Sequence, residues 1–147
     1  MIGAWDTTTI QAALNAGLLP VIHGDVAFDA ALGGTILSTE TLFCTLAQRL
    51  RPQRILLAGL EAGVWEDFPA RTRLAGEITP GNFAQQANGL GRSAAADVTG
   101  GMESKVRQMV GLVEQVPNLE ILIFSGEEPG NVRRALLGEH PGTIIHR

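Results

Sequence analysis

The chain has 147 residues, of which 45% are hydrophobic and 18% are charged, and its formal net charge is −4. This length suits one domain with a substantial core, and we predict a single domain over residues 1–147. The acidic balance argues against a nucleic-acid partner, and no apolar run is long enough for a membrane span. Cys44 is the single cysteine, which excludes an internal disulfide, and the three histidines show no metal-ligand spacing. No leader-like segment stands at the start, so we expect a cytoplasmic protein.

Hydrophobic periodicity predicts helices and strands that alternate along the chain. Helical spacing of apolar residues predicts helices near 10–18, 41–50, 102–116 and 132–137. Apolar runs predict short buried strands at 19–22, 35–37, 54–59, 119–124 and 143–145, with a short extended piece near 78. Short connections between alternating helices and strands are typical of the α/β class. We predict a three-layer αβα architecture with a mostly parallel sheet.

Ligands of such sheets bind beyond the carboxyl ends of the strands. Three loops leave predicted strand ends, at His23–Asp25, Gly59–Val64 and Ser125–Gly126. We therefore expect the chemistry of the protein in these loops and in the helix starts beside them.

One helix start carries an unusual sequence, Asp-Val-Thr-Gly-Gly-Met-Glu-Ser-Lys, over residues Asp97–Lys105. Thr99 is a candidate N-cap, and Gly100 and Gly101 leave backbone amides without side-chain cover. A helix start with bare amides attracts anions, because its unsatisfied donors and the helix dipole act in the same direction. The segment therefore predicts a phosphate site.

Two charged residues flank these amides. Lys105 lies about one turn into the predicted helix, so its ammonium group can reach back over the same anion. Asp97 lies just outside the helix, where a carboxylate orients a lysine or holds Mg²⁺ near phosphates. The alternative interpretation is a glycine-flanked helix start with a solvated lysine. The pattern is not a Walker loop, because Gly-x-x-x-x-Gly-Lys is absent.

The same nine residues resemble the signature of the amino acid kinase family, and most of all its isopentenyl phosphate kinase branch, with a fosfomycin-resistance kinase nearby. Pro20–Val26 is similar to the strand-to-loop segment "P-V-x-x-G-D-V" of those kinases. Gly34–Glu40 is similar to their "I-I-S-G-D" turn, and Arg54–Trp65 to the strand and "D-G-V-Y" loop. The resemblance covers essentially the whole chain and implies the carboxyl-terminal, nucleotide-binding half of that fold.

The resemblance implies phosphoryl transfer from ATP, with Mg²⁺, to a small phosphorylated acceptor. It makes Lys105 the residue that contacts the transferring phosphate and Asp97 an acidic neighbour of the triphosphate. It places Thr99, Gly100, Gly101 and Met102 in the phosphate-facing loop.

Two further sets of residues take their roles from the same resemblance. Gly63, Val64 and Trp65 match the adenosine-side loop, with Trp65 in place of the usual tyrosine; alternatively, Trp65 is a half-exposed packing residue. The acceptor-side positions are Gly24, Asp25, Ser38 and Glu40. Gly24 and Asp25 alternatively form a plain strand-ending turn, and Glu40 either orients a lysine or is a first-turn carboxylate.

The sequence departs from the family in its lysines. Lys105 is the only lysine, whereas the amino-terminal half of the family carries another in a Lys-x-Gly-Gly segment. We therefore weigh two functions. The first is the ATP half of a kinase, working as a homo-oligomer or with a partner chain that supplies the other half. The second is a truncated, non-catalytic module for nucleotide binding or protein interaction. A sheet that lacks half its strands favours association.

Overall fold

The computed structural model describes residues 5–86 and 101–147. The chain forms two compact units, Met1–Arg51 and Pro52–Arg147. The single domain over 1–147 stays a prediction. Among the described residues, none of the helices has the length and apolar character needed to cross a bilayer.

Within residues 5–51, the first unit contains two helices and a β-hairpin: α1 at Thr8–Asn15, β1 at Asp25–Ala27, β2 at Thr35–Leu37 and α2 at Thr39–Leu50. β1 and β2 pair antiparallel, with Asp25 opposite Leu37. The Ser38 side chain caps α2 by accepting a hydrogen bond from the Thr41 amide at 3.2 Å. The predicted strand at 35–37 and the helix that follows it are confirmed.

The buried strand predicted at 19–22 is wrong. These residues lie outside any strand, and the side chains of Leu19 and Val21 are each 87% exposed. An apolar run indicates a buried strand only if a neighbouring backbone supplies hydrogen-bond partners, and Pro20 has no amide to donate. The strand instead begins at Asp25, where β2 provides the pairing.

The second unit contains four strands and three helices among its described residues. The strands are β3 (Arg54–Gly59), β4 (Glu77–Ile78), β5 (Glu120–Ser125) and β6 (Thr143–Ile145). The helices are α3 (Pro80–Gln86), α4 (Gly101–Gln115) and α5 (Asn131–Leu136). Apart from α3, each of these elements lies where the periodicity predicts it.

The four strands form one sheet in the order β3-β5-β6-β4. β3 and β5 are parallel, and so are β4 and β6. β5 and β6 are antiparallel, with Leu122 opposite Ile144. The α/β class is confirmed, and the sheet of the second unit is mixed at the β5–β6 junction.

Helices cover both faces of this sheet. Leu122 and Phe124 of β5 pack with Ala135 of α5 on one face. Ile121 and Ile123 alternate with them and are buried on the other face. α4 contacts β5 and β6 there through buried apolar residues on one side of the helix, such as Val106. The predicted three-layer arrangement holds for the second unit.

Candidate functional site

The parallel strands β3 and β5 end together at one edge of the sheet, where Gly59 pairs with Ser125. The Gly126 amide donates to the Gly59 carbonyl at 2.8 Å beyond that pair. β6 runs antiparallel to β5, so it enters the sheet at the same edge, with Thr143 opposite Ile123. The loops after β3 and β5 and the start of β6 therefore lie side by side, at the edge where ligands of α/β sheets bind.

A buried hydroxyl links two of these segments. Thr143 is fully buried, and its Oγ1 accepts a hydrogen bond from the Val64 amide at 2.8 Å. The same hydroxyl donates to the Ala75 carbonyl at 2.6 Å, and the Ala75 amide donates to the Val64 carbonyl at 2.8 Å. Val64, in the loop after β3, is thus held to both β6 and residue 75.

Gly63 lies against the same hydroxyl. A Cβ at this position would be 2.7 Å from Thr143 Oγ1 and 3.3 Å from a methyl carbon of Leu74. Any side chain larger than that of glycine at position 63 would therefore displace either the loop after β3 or the start of β6.

Trp65 is tied to its own loop. Its indole N–H donates to Glu61 Oε2 at 3.0 Å, and the other carboxylate oxygen of Glu61 lies 3.3 Å from Arg71 Nη2. Trp65 also forms an antiparallel bridge with Leu74. The side chain is half-buried, in agreement with the interpretation of a packing aromatic, while its predicted contact with adenosine stays a prediction.

The turn beyond Trp65 is organised by Asp67. Its carboxylate accepts hydrogen bonds from the Thr72 hydroxyl and from the amides of Thr72 and Arg73, both at 3.2 Å. The Thr72 hydroxyl contributes most to holding the pKa of Asp67 below its ordinary value of 3.8, because these donors stabilise the charged form.

This hydrogen bonding predicts an acid-sensitive turn. A carboxyl whose pKa is lower in the folded state contributes stability above its unfolded pKa and loses it as pH falls through its folded pKa. The pKa of Asp67 is lowered from 3.8, so its contribution is lost below about pH 4. We expect thermal unfolding between pH 6 and pH 3 to show a shallower loss of stability for Asp67→Asn than for the original chain. Glu114→Gln, on the exposed side of α4, is the control, and equal slopes for all three proteins would contradict the expectation.

The start of α4 lies at the same end of the sheet. The short turn 116–119, closed by a hydrogen bond from the Leu119 amide to the Val116 carbonyl, joins α4 to β5, so α4 runs back along β5. A 15-residue helix and a six-residue strand are each about 20 Å long. The first turn of α4 therefore lies near the carboxyl end of β5.

The first five residues of α4 include three of the predicted phosphate-site residues. Gly101 begins α4 with a φ of 73°, a left-handed conformation that favours glycine, and it is buried. Met102 and Lys105 follow and are half-buried. Asp97, Thr99 and Gly100 lie outside the described residues.

The four predicted acceptor-side residues of the first unit lie close together. Gly24 approaches the end of β2 so closely that a Cβ would be 2.4 Å from the Leu37 carbonyl oxygen. Asp25 begins β1 opposite Leu37. Ser38 caps α2, and Glu40 lies in its first turn. Ser38 and Glu40 thus have structural positions at a helix start, and a role toward an acceptor stays a prediction for all four.

A pocket of about 590 Å³ opens beside the carboxyl end of β5. The loop 126–130 forms one wall, and the apolar side chains of Val132, Leu136 and Leu137 with Arg133 form the other. Its volume is in the range of ordinary small-molecule sites. Both the loop at Ser125–Gly126 and the helix near 132–137 were predicted from the sequence, but the pocket that they line together was not.

Gly142 and Thr143 also lie at this edge of the sheet, and the sequence did not predict them as site residues. A Cβ on Gly142 would be 2.1 Å from the Ile123 carbonyl oxygen and 2.9 Å from that of Ala62. The signal in the sequence is a Gly-Thr pair at the start of the last strand. It indicates a site only once β6 is known to enter the sheet beside the loop after β3.

Known proteins match this chain over most of its length. The profile of the amino acid kinase family matches residues 2–125. An isopentenyl phosphate kinase of Haloferax volcanii is 36% identical over 135 residues, which are 92% of this chain and 49% of that protein. One from Methanothermobacter thermautotrophicus is 33% identical over 143 residues, covering 95% of this chain and 53% of that protein. The chain therefore spans about half the length of these curated relatives.

Solved structures give the same result. An isopentenyl phosphate kinase structure superposes with a TM-score of 0.75 at 30% identity, over 97% of this chain and 52% of that one. An N-acetylglutamate synthase from Neisseria gonorrhoeae, at 18% identity and a TM-score of 0.68, shares the fold over 97% of this chain and 31% of its own. The resemblance seen in the sequence is confirmed: this chain belongs to the amino acid kinase family.

Proposed function

We propose that this chain supplies the ATP site of a kinase that transfers a phosphoryl group to a small phosphorylated acceptor, most like isopentenyl phosphate. The observation that carries the proposal is the 36% identity to an isopentenyl phosphate kinase over 92% of the chain. In the proposed reaction the γ-phosphoryl group leaves ATP, so that ADP is released, and it joins an oxygen of the acceptor's phosphate.

The geometry of the second unit supports the ATP site. The loop containing Gly63, Val64 and Trp65, hereafter the 63–65 loop, and the first turn of α4 lie at the same end of the β3–β5 pair. Thr143 lies opposite Ile123, and directly opposed residues share a sheet face, so its hydroxyl is on the face that α4 covers. One loop for adenosine and one helix start for phosphates therefore adjoin a common edge of the sheet.

The residues at this edge are suited to bind a nucleotide with its metal. Lys105 supplies positive charge just after the first turn of α4, and the amides at the start of the helix also favour the triphosphate. The described residues include no group of three or more histidines, cysteines or carboxylates able to hold a metal ion. We therefore propose that Mg²⁺ enters with ATP and is held mainly by phosphate oxygens, with Asp97 as the candidate protein ligand.

The proposal includes an association partner, either a second copy or a chain that supplies the other half of the fold. Large apolar side chains of the first unit support it: Leu19, Val21, Val26, Phe28 and Ile36 are all exposed. Exposed apolar surface of this kind marks interaction sites. We expect light scattering to give a mass above that of one chain at micromolar concentration, and a monomer across that range would count against association.

A second candidate is a non-catalytic interaction module, which the exposed apolar side chains of the first unit favour. Calorimetric titration with Mg·ADP, and with a non-hydrolysable ATP analogue, separates the two functions. The ATP-site proposal predicts saturable binding of both ligands at one site. If millimolar ligand gives no heat of binding and the two ligands do not compete with each other, the ATP-site proposal is rejected in favour of an interaction module.

A further inference from the structure

Thr143 is a buried residue that no chemistry of the proposed reaction uses directly, yet its hydroxyl contacts the 63–65 loop. We propose that Thr143 is a positioning residue, which fixes the backbone of this loop in the conformation that receives the nucleotide. The inference rests on the proposed function, because it assigns Thr143 a purpose at the same site.

The hydrogen bonds leave the hydroxyl no freedom. Its hydrogen is donated to the Ala75 carbonyl at 2.6 Å, so an oxygen lone pair is directed at the Val64 amide, 2.8 Å away. The bond from the Ala75 amide to the Val64 carbonyl, also 2.8 Å, closes a ring of three bonds. Both backbone groups of Val64 are therefore fixed from inside the protein.

Steric contacts fix the same loop from two other directions. Gly63 rests on Thr143 with no space for a side chain, since a Cβ would be 2.7 Å from Oγ1. Gly142, next to Thr143, lies close to the Ala62 carbonyl oxygen. A Cβ at position 142 would be only 2.9 Å from that oxygen. The start of β6 thus forms a seat for residues 62–64.

A seat of this kind affects binding through preorganisation. A loop that is ordered before the ligand arrives loses little conformational entropy on binding. Thr143 is fully buried and cannot touch a ligand itself, so its effect on nucleotide affinity must pass through Val64 and its neighbours. The expected effect of losing the hydroxyl is therefore a weaker nucleotide complex rather than a changed reaction.

Two substitutions at Thr143 test the proposal. Thr143→Val keeps the shape and removes the hydroxyl, whereas Thr143→Ser keeps the hydroxyl and removes a methyl group. We expect Thr143→Val to weaken Mg·ADP binding about tenfold and to speed hydrogen exchange of the Val64 amide. We expect Thr143→Ser to bind within about twofold of the original chain, since it retains both hydrogen bonds.

A matched variant separates positioning from general destabilisation. Ile121→Val removes a methylene from a buried residue near the opposite end of β5, and we expect it to lower stability without weakening Mg·ADP binding. Equal affinities for the original chain and both Thr143 variants would overturn the inference and leave the ATP site standing. An equal loss in Thr143→Ser and Thr143→Val would also overturn it, because the hydroxyl would not be the cause. No binding by the original chain would reject both the ATP site and the inference.

Discussion

Lys105→Ala is expected to remove at least about half of the thermal stabilisation that Mg·ADP gives to this chain. Lys105 is the only lysine in the chain, and it lies near the start of α4, close to the edge where β3 and β5 end. A ligand at 100 times its dissociation constant stabilises a protein by about 2.7 kcal/mol. Loss of a charge-assisted phosphate contact is expected to weaken binding by roughly tenfold to a hundredfold, so between about half and nearly all of this stabilisation disappears.

The effect on turnover is expected to be larger than the effect on binding. Removing one preorganised donor from a developing negative charge typically lowers turnover by about 10²–10³-fold. Phosphoryl transfer depends heavily on such donors, because charge spreads over the transferring oxygens. The assay is ADP release with isopentenyl phosphate as the proposed acceptor, in a preparation for which turnover by the original chain has first been measured.

The control for this prediction is Arg107→Gln. Arg107 is on the same helix, pairs with Glu103 at 2.7 Å and lies 5.2 Å from the Phe83 ring centre. Its replacement changes the net charge by the same amount as Lys105→Ala. If both variants lost stabilisation equally, the effect would come from the overall charge, and an undiminished shift in Lys105→Ala would remove this lysine from the site.

Gly142→Ala is expected to have the largest effect on stability. The added Cβ would be 2.1 Å from the Ile123 carbonyl oxygen and 2.8 Å from Phe124 Cβ. These are backbone and near-backbone atoms of a central strand, so the clash can be relieved only by moving β6 away from β5. We expect a loss of about 3 kcal/mol or more in the free energy of unfolding, measured by urea denaturation.

Gly76→Ala is the matched control for that substitution. A Cβ on Gly76 meets no atom within 4 Å, and we expect its free energy of unfolding to stay within about 0.5 kcal/mol of the original value. The nucleotide affinity of any folded Gly142→Ala protein should also fall, because the same shift displaces the seat of the 63–65 loop. Equal stability of the two variants would contradict the packing described for the start of β6.

The elements that sequence reasoning found are those with a strong periodic signal. β3, β5 and α4 contain long apolar patterns that a single window of sequence reveals. α3 was missed because it is short and begins with Pro80-Gly81. It exists because Thr79 and Asn82 cap its start reciprocally, through bonds from the Thr79 amide to Asn82 Oδ1 at 2.8 Å and from the Asn82 amide to Thr79 Oγ1 at 3.3 Å.

The residues of the candidate site also fall into those that a local pattern predicts and those that it does not. Gly63, Val64, Trp65, Gly101 and Lys105 were predicted as site residues because their motifs are local and resemble those of a known family, and their roles stay predictions. Thr143 was not, because it meets Val64 from 79 positions along the chain, and only the antiparallel entry of β6 into the sheet brings the two together. The strand predicted at 19–22 failed for the related reason that composition does not specify a pairing partner.

The most direct test of the ATP site uses the single lysine. An amine-reactive reagent can modify only Lys105 and the chain's amino terminus, and mass spectrometry of peptides distinguishes the two. If ATP binds over the start of α4, saturating Mg·ADP should slow modification of Lys105 at least about tenfold and leave the amino terminus unaffected. Modification of Lys105 at an unchanged rate in saturating nucleotide would contradict the assignment of the ATP site to this edge of the sheet.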